Sequence, residues 1–194
     1  MKAIDIKEKW LGLNSYNEWT EYKPEQLAEI KLRKKTIDFL AVGFMTSAAP
    51  FLDFREYSDR EKFQNLVQFY KKYNQDLNTK LKRFVPFGSD SGGNMFCFDS
   101  NENDRIVLLD HEYEFDKQSF VNIDLNEFAD CILVYNTFVE SIQTKYGEDA
   151  FLDGTYKEED VQELIKNFNI INSDLLKHNE FWNIELNGLL EEIK

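Results

Sequence analysis

The sequence predicts an α+β protein in which helices flank a central antiparallel or mixed β-meander. Before residue 74 and after residue 124, apolar residues recur every three or four positions, as they do in amphipathic helices. Between residues 82 and 110, short β-prone runs alternate with turn-rich stretches, a pattern typical of strands joined by hairpins. A length of 194 residues fits one domain, so we expect a single unit with a core over about 24–146 and a helical C-terminal extension over about 147–194.

The first predicted helical region covers residues 24–42. Pro24 suits the first turn of a helix, where its missing N–H has no partner to lose, and Gly43 suits the residue that ends a helix. The region forms either one helix or two, and in the second case Thr36 would begin the second helix. Its apolar positions are Leu27, Ile30, Ile37 and Leu40.

A further amphipathic helix is predicted over residues 58–73. Ser58 and Glu61 match the capping-box pattern, in which each side chain accepts a hydrogen bond from the other residue's free backbone N–H. An apolar face follows at helical spacing, which indicates that one side of this helix is buried. That face consists of Phe63, Leu66, Val67, Tyr70 and Tyr73.

The strands of the meander follow this helix. Turn-forming residues dominate the stretches GSDSGG at 88–93 and DSNEND at 99–104, so we expect hairpin turns there. One earlier strand is predicted at Phe51–Phe54. The three strands of the meander are predicted near residues 82–87, 95–99 and 105–110.

Helix returns at Asp124, which forms a capping-box variant with Glu127. Apolar residues then recur at steps of three and four as far as Gly147, which ends the helix. Two more helices are predicted near 157–168 and 173–193, with Ser173 as the cap of the last one.

The net charge of the chain limits the kinds of molecule that we expect it to bind. The formal net charge is −13, and residues 85–144 carry −10 of it while residues 1–84 carry +4. Nucleic acid is not an expected partner, because phosphate binding needs a basic surface. An acidic surface instead favours a basic partner or simply keeps the protein in solution. Apolar stretches are too short for a membrane span, and the acids near Trp10 do not suit a signal peptide, so we expect a cytoplasmic protein.

The residues that could carry catalysis are few. Histidine occurs only at His111 and His178, and both cysteines, Cys97 and Cys131, lie inside apolar runs. We therefore expect buried thiols in a reducing compartment, no metal site and no cofactor. A nucleophile–base pair of Cys97 with His111 is the alternative. A carboxylate enzyme is another, if acidic pairs such as Asp110 with Glu112, or Glu114 with Asp116, face each other across a cleft.

The sequence of residues 99–110 partly matches the pattern of a calcium-binding loop. Asp99, Asn101, Asn103 and Asp110 occupy positions 1, 3, 5 and 12 of an EF-hand-like pattern. Position 6, which needs glycine for a sharp turn, holds Asp104, and the flanking segments are strand-like rather than helical. A hairpin turn explains the same residues by ordinary turn chemistry.

The order of these segments resembles the SUKH superfamily. The matching segments are FVPFGSDSGGNMFCFD, RIVLLDHE and SFVNIDLNEFADCILVY, of which the last begins as a connector into the long helix. The matching residues are Phe87, Gly88, Asp90, Gly92, Gly93, Phe98, Asp99, Val107, Phe120, Asn122, Leu125 and Phe128. Upstream, Thr36, Phe39, Leu40 and Gly43 match a helix end, although Met45 stands where proline is common. Downstream, the Phe181–Trp182 pair is similar to the ending of one branch.

The resemblance implies a protein without a shared active site. Most bacterial SUKH proteins are immunity proteins, which bind a toxin encoded beside them, often a nuclease. The superfamily also includes a fungal regulator of cell-wall glucan synthesis, so a regulatory protein-interaction module is the alternative. We expect a non-enzymatic chain that binds a cognate toxin with a basic surface. The predicted contact residues are Asp99, Glu102, Asp104, Asp110, Glu112, Glu114 and Asp116.

Overall fold

The computed structural model describes residues 1–55, 62–177 and 179–193. It confirms the α+β class: a six-stranded antiparallel sheet in chain order lies among helices, beside a separate two-stranded sheet. The described helices are α1 (Ala3–Leu13), α2 (Pro24–Leu27), α3 (Lys34–Val42), α4 (Leu66–Lys71), α5 (Leu125–Tyr146), α6 (Glu158–Ile171) and α7 (Glu180–Glu192). The strands are β1 (Trp19–Thr20), β2 (Phe44–Met45), β3 (Ser47–Ala48), β4 (Leu52–Asp53), β5 (Phe84–Ser89), β6 (Met95–Asp99), β7 (Arg105–Leu109) and β8 (Gln118–Asn122).

The predicted helical region at 24–42 forms two helices, α2 and α3. The second begins at Lys34, two residues before the predicted start at Thr36. It ends as predicted at Gly43, where φ is +112° and a Cβ atom would lie 2.3 Å from the carbonyl oxygen of Thr20. Only glycine fits this backbone and this close approach to β1.

The helix predicted over 58–73 is confirmed for α4 alone. Its proposed cap, Ser58 with Glu61, lies outside the described residues. Helix α4 begins after Asn65, whose side chain accepts a hydrogen bond from the backbone N–H of Gln68 at 3.0 Å. Asparagine is among the best residues for this role, which explains why α4 begins at Leu66.

The meander is confirmed, and the structure adds a fourth hairpin strand to it. Strands β5, β6 and β7 match the three predicted segments, and β4 lies within the predicted segment Phe51–Phe54. Strand β8 was expected to be a connector into the long helix. It instead pairs antiparallel with β7, with a register irregularity between Ile106 and Val107.

Both faces of the sheet are covered, which explains why every residue of β6 is buried. Successive side chains of a strand point to opposite faces. Phe96 and Phe98 therefore join the large core, whereas Met95 and Cys97 join a smaller cluster with α4. Cys97 and Cys131 are both buried, as the apolar runs around them predicted.

The ends of the chain pack into the same large core. Ile6 and Trp10 of α1, a helix that the sequence patterns did not indicate, are buried in that core. Phe168 of α6 and Trp182 of α7 are buried in it too, so the extension past residue 147 shares its core with the sheet. No described helix is both long and apolar enough to cross a lipid bilayer.

Helix caps were predicted with mixed success at this end of the chain. The side chain of Asp124 accepts a hydrogen bond from the backbone N–H of Glu127 at 3.0 Å, as predicted for the start of α5. Ser173 was wrong as the cap of the last helix. A turn of 3-10 helix at Leu175–Lys177 intervenes, and Asn179 caps α7 by accepting from the N–H of Trp182 at 3.0 Å.

A buried polar network fastens the C-terminal helices to the sheet. The Glu127 carboxylate accepts from the side chain of Asn122 at 2.9 Å, the N–H of Ile123 at 3.0 Å and the side chain of Asn172 at 2.8 Å. The indole N–H of Trp182 donates to Asn122 Oδ1 at 3.0 Å. The side chain of Asn179 donates to the backbone carbonyl of Val121 in β8. These bonds join α5, α6, α7 and the edge strand β8.

Candidate functional site

Two of the seven predicted contact residues are buried, and this corrects their assignment to a binding surface. Asp99 is 0% exposed and lies 3.6 Å from the guanidinium of Arg83 and 3.5 Å from that of Arg105. Asp104 is 1% exposed and accepts from the N–H of Arg33 at 2.6 Å and the hydroxyl of Thr36 at 2.8 Å. Asp99 stabilises the turn in which it lies, and Asp104 stabilises the start of α3.

The remaining five predicted acids lie at opposite ends of β7. Glu102 lies in the turn between β6 and β7, whereas Asp110, Glu112, Glu114 and Asp116 lie in the turn between β7 and β8. A five-residue strand separates the two turns by roughly 16 Å. The structure therefore does not bring the predicted acids to one surface. The calcium-loop alternative is wrong for the same reason, because its position 12, Asp110, lies at the far end of β7.

The four acids of the β7–β8 turn, residues 110–117, differ in whether they form ion pairs. Asp110 caps a short 3-10 turn and lies 3.7 Å from Lys117, and Asp116 lies 2.9 Å from Lys80. Glu112 and Glu114 are exposed and form no ion pair with any described residue. Neither carboxylate is therefore neutralised by a salt bridge among the described residues.

The β5–β6 turn, residues 90–94, lies beside the β7–β8 turn. Asp90 accepts from both the backbone N–H and the side chain of Asn94, each at 2.9 Å. Asn94 in turn accepts from the backbone N–H of His111 at 3.2 Å. Since His111 is exposed in this turn and Cys97 is buried within β6, the two do not form the alternative nucleophile–base pair.

A cleft that the sequence patterns did not indicate opens beside the β5–β6 turn. It has a volume of about 420 Å³ and is formed where the turn after β3, the β5–β6 turn, α5, the loop after α5 and α7 converge. Three carboxylates line it, those of Asp90, Glu185 and Glu192, and its lining contains no Lys, Arg or His among the described residues. We call this the acid cleft.

The rim of the acid cleft is apolar and exposed. Phe51, Leu152 and Ile184 are 64%, 68% and 67% exposed, although they come from three distant segments. Phe51 also has a φ of +61°, a conformation that a bulky side chain rarely adopts. Exposed apolar side chains gathered around a concavity are a common feature of binding surfaces.

One acid of the cleft, Glu185, has a raised pKa. Burial, followed by the nearby carboxylates of Asp90 and Glu192, raises the pKa of Glu185 to about 7. Burial also raises the pKa of Tyr135 on the cleft wall. Behind the wall, burial and Glu192 raise the pKa of Tyr156 to about 12, and its hydroxyl donates to the carbonyl of Leu189 at 3.0 Å. A cation that enters the cleft would relieve this repulsion.

One sequence signal does point to the cleft in retrospect. Ile184 lies off the apolar stripe of α7, whose buried residues are Phe181, Trp182, Leu186 and Leu189, so its exposure is visible in the helical pattern. The convergence with Phe51 and Leu152 is a property of the tertiary structure and has no local signature.

The β5–β6 turn, the β7–β8 turn and the acid cleft together form one region, which we call the acidic sheet end. Among residues 1–55, 62–177 and 179–193, no group of three or more His, Cys, Asp and Glu side chains is arranged to hold a metal ion. No protein-family model, curated protein or solved structure matches the chain.

Proposed function

We propose that this chain is a non-enzymatic immunity protein that binds a cognate bacterial toxin and neutralises it. The observation that carries the proposal is the acidic sheet end, where Glu112, Glu114 and the carboxylates of the cleft have no cationic partner among the described residues. The SUKH resemblance supports the same function, and its GSDSGG motif forms the β5–β6 turn of this region.

The toxin we propose is one with a basic active surface, such as a nuclease. An acidic surface speeds encounter with a basic partner and suppresses binding to other acidic proteins. Once seated, the chain would occupy the toxin's basic groove and exclude its substrate by charge and by bulk.

Protection of cells tests this proposal directly. The toxin encoded next to this chain is expressed with wild-type chain or with one of three variants: Glu112→Lys, Glu114→Lys or Glu102→Lys. Each variant changes the charge equally, but Glu102 lies at the opposite end of β7. We expect wild-type chain and Glu102→Lys to protect the cells. For purified toxin, we expect slower association only with the first two variants, because charges at an interface mainly set the association rate.

Failure of the wild-type chain to bind the toxin or to protect would refute the proposed function. Equal slowing by all three variants would show that net charge, rather than the acidic sheet end, governs association.

A regulatory protein-interaction module remains the alternative on the same surface. A toxin gene directly beside the gene for this chain favours immunity, whereas a cell-wall synthesis gene in that position favours regulation.

One observation favours an enzyme as a second candidate. Glu185 has a pKa near that of a general acid, and it shares a cleft with two other carboxylates. Hydrolysis of chromogenic glycosides by the wild-type chain, abolished in Glu185→Gln, would replace the binding proposal with this one.

A further inference from the structure

We propose that the acid cleft receives one arginine or lysine side chain of the partner protein, together with an adjacent apolar side chain that packs on the rim. This inference rests on the proposed function for the identity of the partner. Its chemistry rests on the cleft alone, so the two can fail separately.

The size of the cleft limits its occupant. A volume of about 420 Å³ lies at the low end of the roughly 300–1,000 Å³ that small-ligand pockets span. A helix does not fit such a space, whereas one long side chain and a neighbour do. The cleft therefore has room for a protruding side chain of a partner, which is the occupant that the proposed function supplies.

The charge of the cleft determines the sign of that residue. Both oxygens of Asp90 accept from Asn94, and Oε2 of Glu192 lies 3.5 Å from the hydroxyl of Tyr156. The carboxylate of Glu185 and the other oxygen of Glu192 are therefore left to accept new hydrogen bonds. Within the described part of the chain, neither of these two is in an ion pair, and no basic residue lines the cleft. Hydrogen bonds between a guanidinium and a carboxylate are among the strongest in proteins, and a partly buried site strengthens them further.

The rim explains why an apolar neighbour is part of the occupant. Phe51, Leu152 and Ile184 surround the acids with exposed apolar surface, which gains from burial on contact. An apolar rim around a charged centre also excludes water from the ion pair, as it does at the energetic centres of protein interfaces.

The first experiment tests the chemistry without any toxin. The full-length chain, labelled with ¹³C in its Leu and Ile methyl groups, is titrated at pH 8 with N-acetyl-Leu-Arg-amide or with the uncharged N-acetyl-Leu-Gln-amide. We expect saturable shifts of the Leu152 and Ile184 methyl signals with the arginine peptide, and about tenfold weaker binding of the glutamine peptide. Equal binding of the two peptides, or binding of neither, would overturn the proposal.

Matched variants locate the interaction. We expect the double variant Glu185→Gln with Glu192→Gln to bind the arginine peptide about tenfold more weakly. Glu191→Gln changes an exposed acid of the same helix that does not line the cleft, and should leave binding unchanged. Ile184→Ser should weaken binding, whereas Ile170→Ser, at an equally exposed isoleucine of α6, should not. Equal losses in a variant and its control would contradict the assignment.

A substitution at Phe51 distinguishes an effect on peptide binding from an effect on folding. Asparagine adopts a positive φ more readily than phenylalanine does, so Phe51→Asn should keep or raise the urea midpoint while weakening peptide binding several-fold. Unchanged peptide binding in this variant would remove Phe51 from the site.

The pH dependence of peptide binding tests the role of the carboxylates, because a purely apolar cleft would show none. The groups that face Glu185 across the cleft are Asp90, Glu192 and the hydroxyl of Tyr135. Because Glu185 ionises near neutral pH, binding of the arginine peptide should strengthen between pH 6 and pH 8. Binding that is independent of pH would contradict a role for this carboxylate.

The toxin provides the second arm of the experiment. If the wild-type chain gives no protection, the proposed function fails, and the peptide titration still decides the chemistry of the cleft. If the wild type protects and the double variant protects equally well, immunity stands and the cleft is not where the toxin binds. Methyl shifts that appear on concentrating the chain alone would identify a second copy as the occupant and would also overturn the proposal.

Discussion

Glu127 shows how much of this fold depends on single buried polar residues. Its carboxylate accepts three hydrogen bonds, and the two asparagines that donate to it have their own oxygens engaged: Asn122 Oδ1 accepts from Trp182, and Asn172 Oδ1 accepts from the N–H of Asp174. Neither amide can therefore reverse to suit a different neighbour. A residue at position 127 must accept hydrogen bonds on both of its oxygens.

Glu127→Gln places an amide N–H₂ group against one of these donors. We expect a loss of about 2 kcal/mol in the free energy of unfolding, since a hydrogen bond to a charged group is lost and a donor is left unpaired. Urea titration measures this change. Glu163→Gln, at an exposed acid 3.2 Å from Lys166, should change stability by less than about 0.5 kcal/mol. A similar small loss for Glu127→Gln would show that the network tolerates an amide.

Glu185 makes stability depend on pH in a defined direction. The pKa of this residue is raised in the folded protein, from 4.5 to about 7, so the folded state holds the proton more tightly than the unfolded chain does. Its contribution is present below pH 4.5 and is lost as the pH rises through about 7. Glu185→Gln cannot ionise, so it lacks this loss.

We therefore expect Glu185→Gln to be more stable than the wild type at pH 8, by about 1–2 kcal/mol after allowance for partial exposure, and equally stable at pH 4.5. The measurement is the difference in unfolding free energy between the two proteins across this pH range. Glu191→Gln, at an exposed acid of the same helix, should show no such trend. A difference that grows toward low pH would contradict the sign.

At the scale of elements, two glycines with opposite surroundings test how closely the sheet packs. A Cβ atom on Gly88 of β5 would lie 2.3 Å from the ring of Phe54, which is fully buried among other aromatic rings. Gly12 of α1 has no heavy atom within 4 Å of the same position. Gly88 therefore allows the close approach of the Phe54 ring, whereas Gly12 only makes helix α1 less stable.

Gly88→Ala should destabilise the protein by about 2–3 kcal/mol, because the Phe54 ring has no free space to move into. Gly12→Ala should instead stabilise it by about 0.5–1 kcal/mol, through lower backbone entropy in the unfolded chain. Thermal unfolding of both variants provides the measurement. Equal effects of the two substitutions would refute the argument from packing.

Sequence patterns succeeded for elements whose signals are local and failed where the partner is distant. Asp124 and Gly43 were identified because a cap and a helix end depend on a few neighbouring residues. Ser173 was a wrong choice because Asn179, six residues later, has a backbone carbonyl of β8 to bind. Strand β8 was missed because its pairing with β7, rather than its composition, makes it a strand.

The candidate site was harder to predict than the fold for the same physical reason. Asp99 and Asp104 looked like their exposed neighbours in the turn, and only tertiary contacts with Arg83 and Thr36 show that they are buried. The acid cleft gathers five separate segments, so no spacing within the sequence could reveal it. What composition did predict was the presence of an acidic region.

For the molecule as a whole, we expect one cooperative unfolding transition. The large core contains Trp10 near one end of the chain and Trp182 near the other, together with the inner face of the sheet. Tryptophan fluorescence and far-UV circular dichroism should therefore give the same urea midpoint. Trp10→Phe, which leaves Trp182 as the main buried reporter, should preserve that coincidence. Separate midpoints would show that the segment after residue 147 unfolds on its own.

The edges of the large sheet limit how any partner can attach. At one edge, β3 has only two residues, and at the other, the side chain of Asn179 occupies a backbone carbonyl of β8. Both edges are short, with two residues in β3 and five in β8, so an added strand from another chain has few backbone groups to pair with. Short edges also limit edge-to-edge aggregation. A partner of the proposed kind would therefore be recognised through side chains and shape, and diversification of a few exposed residues could redirect that recognition while the sheet stays the same.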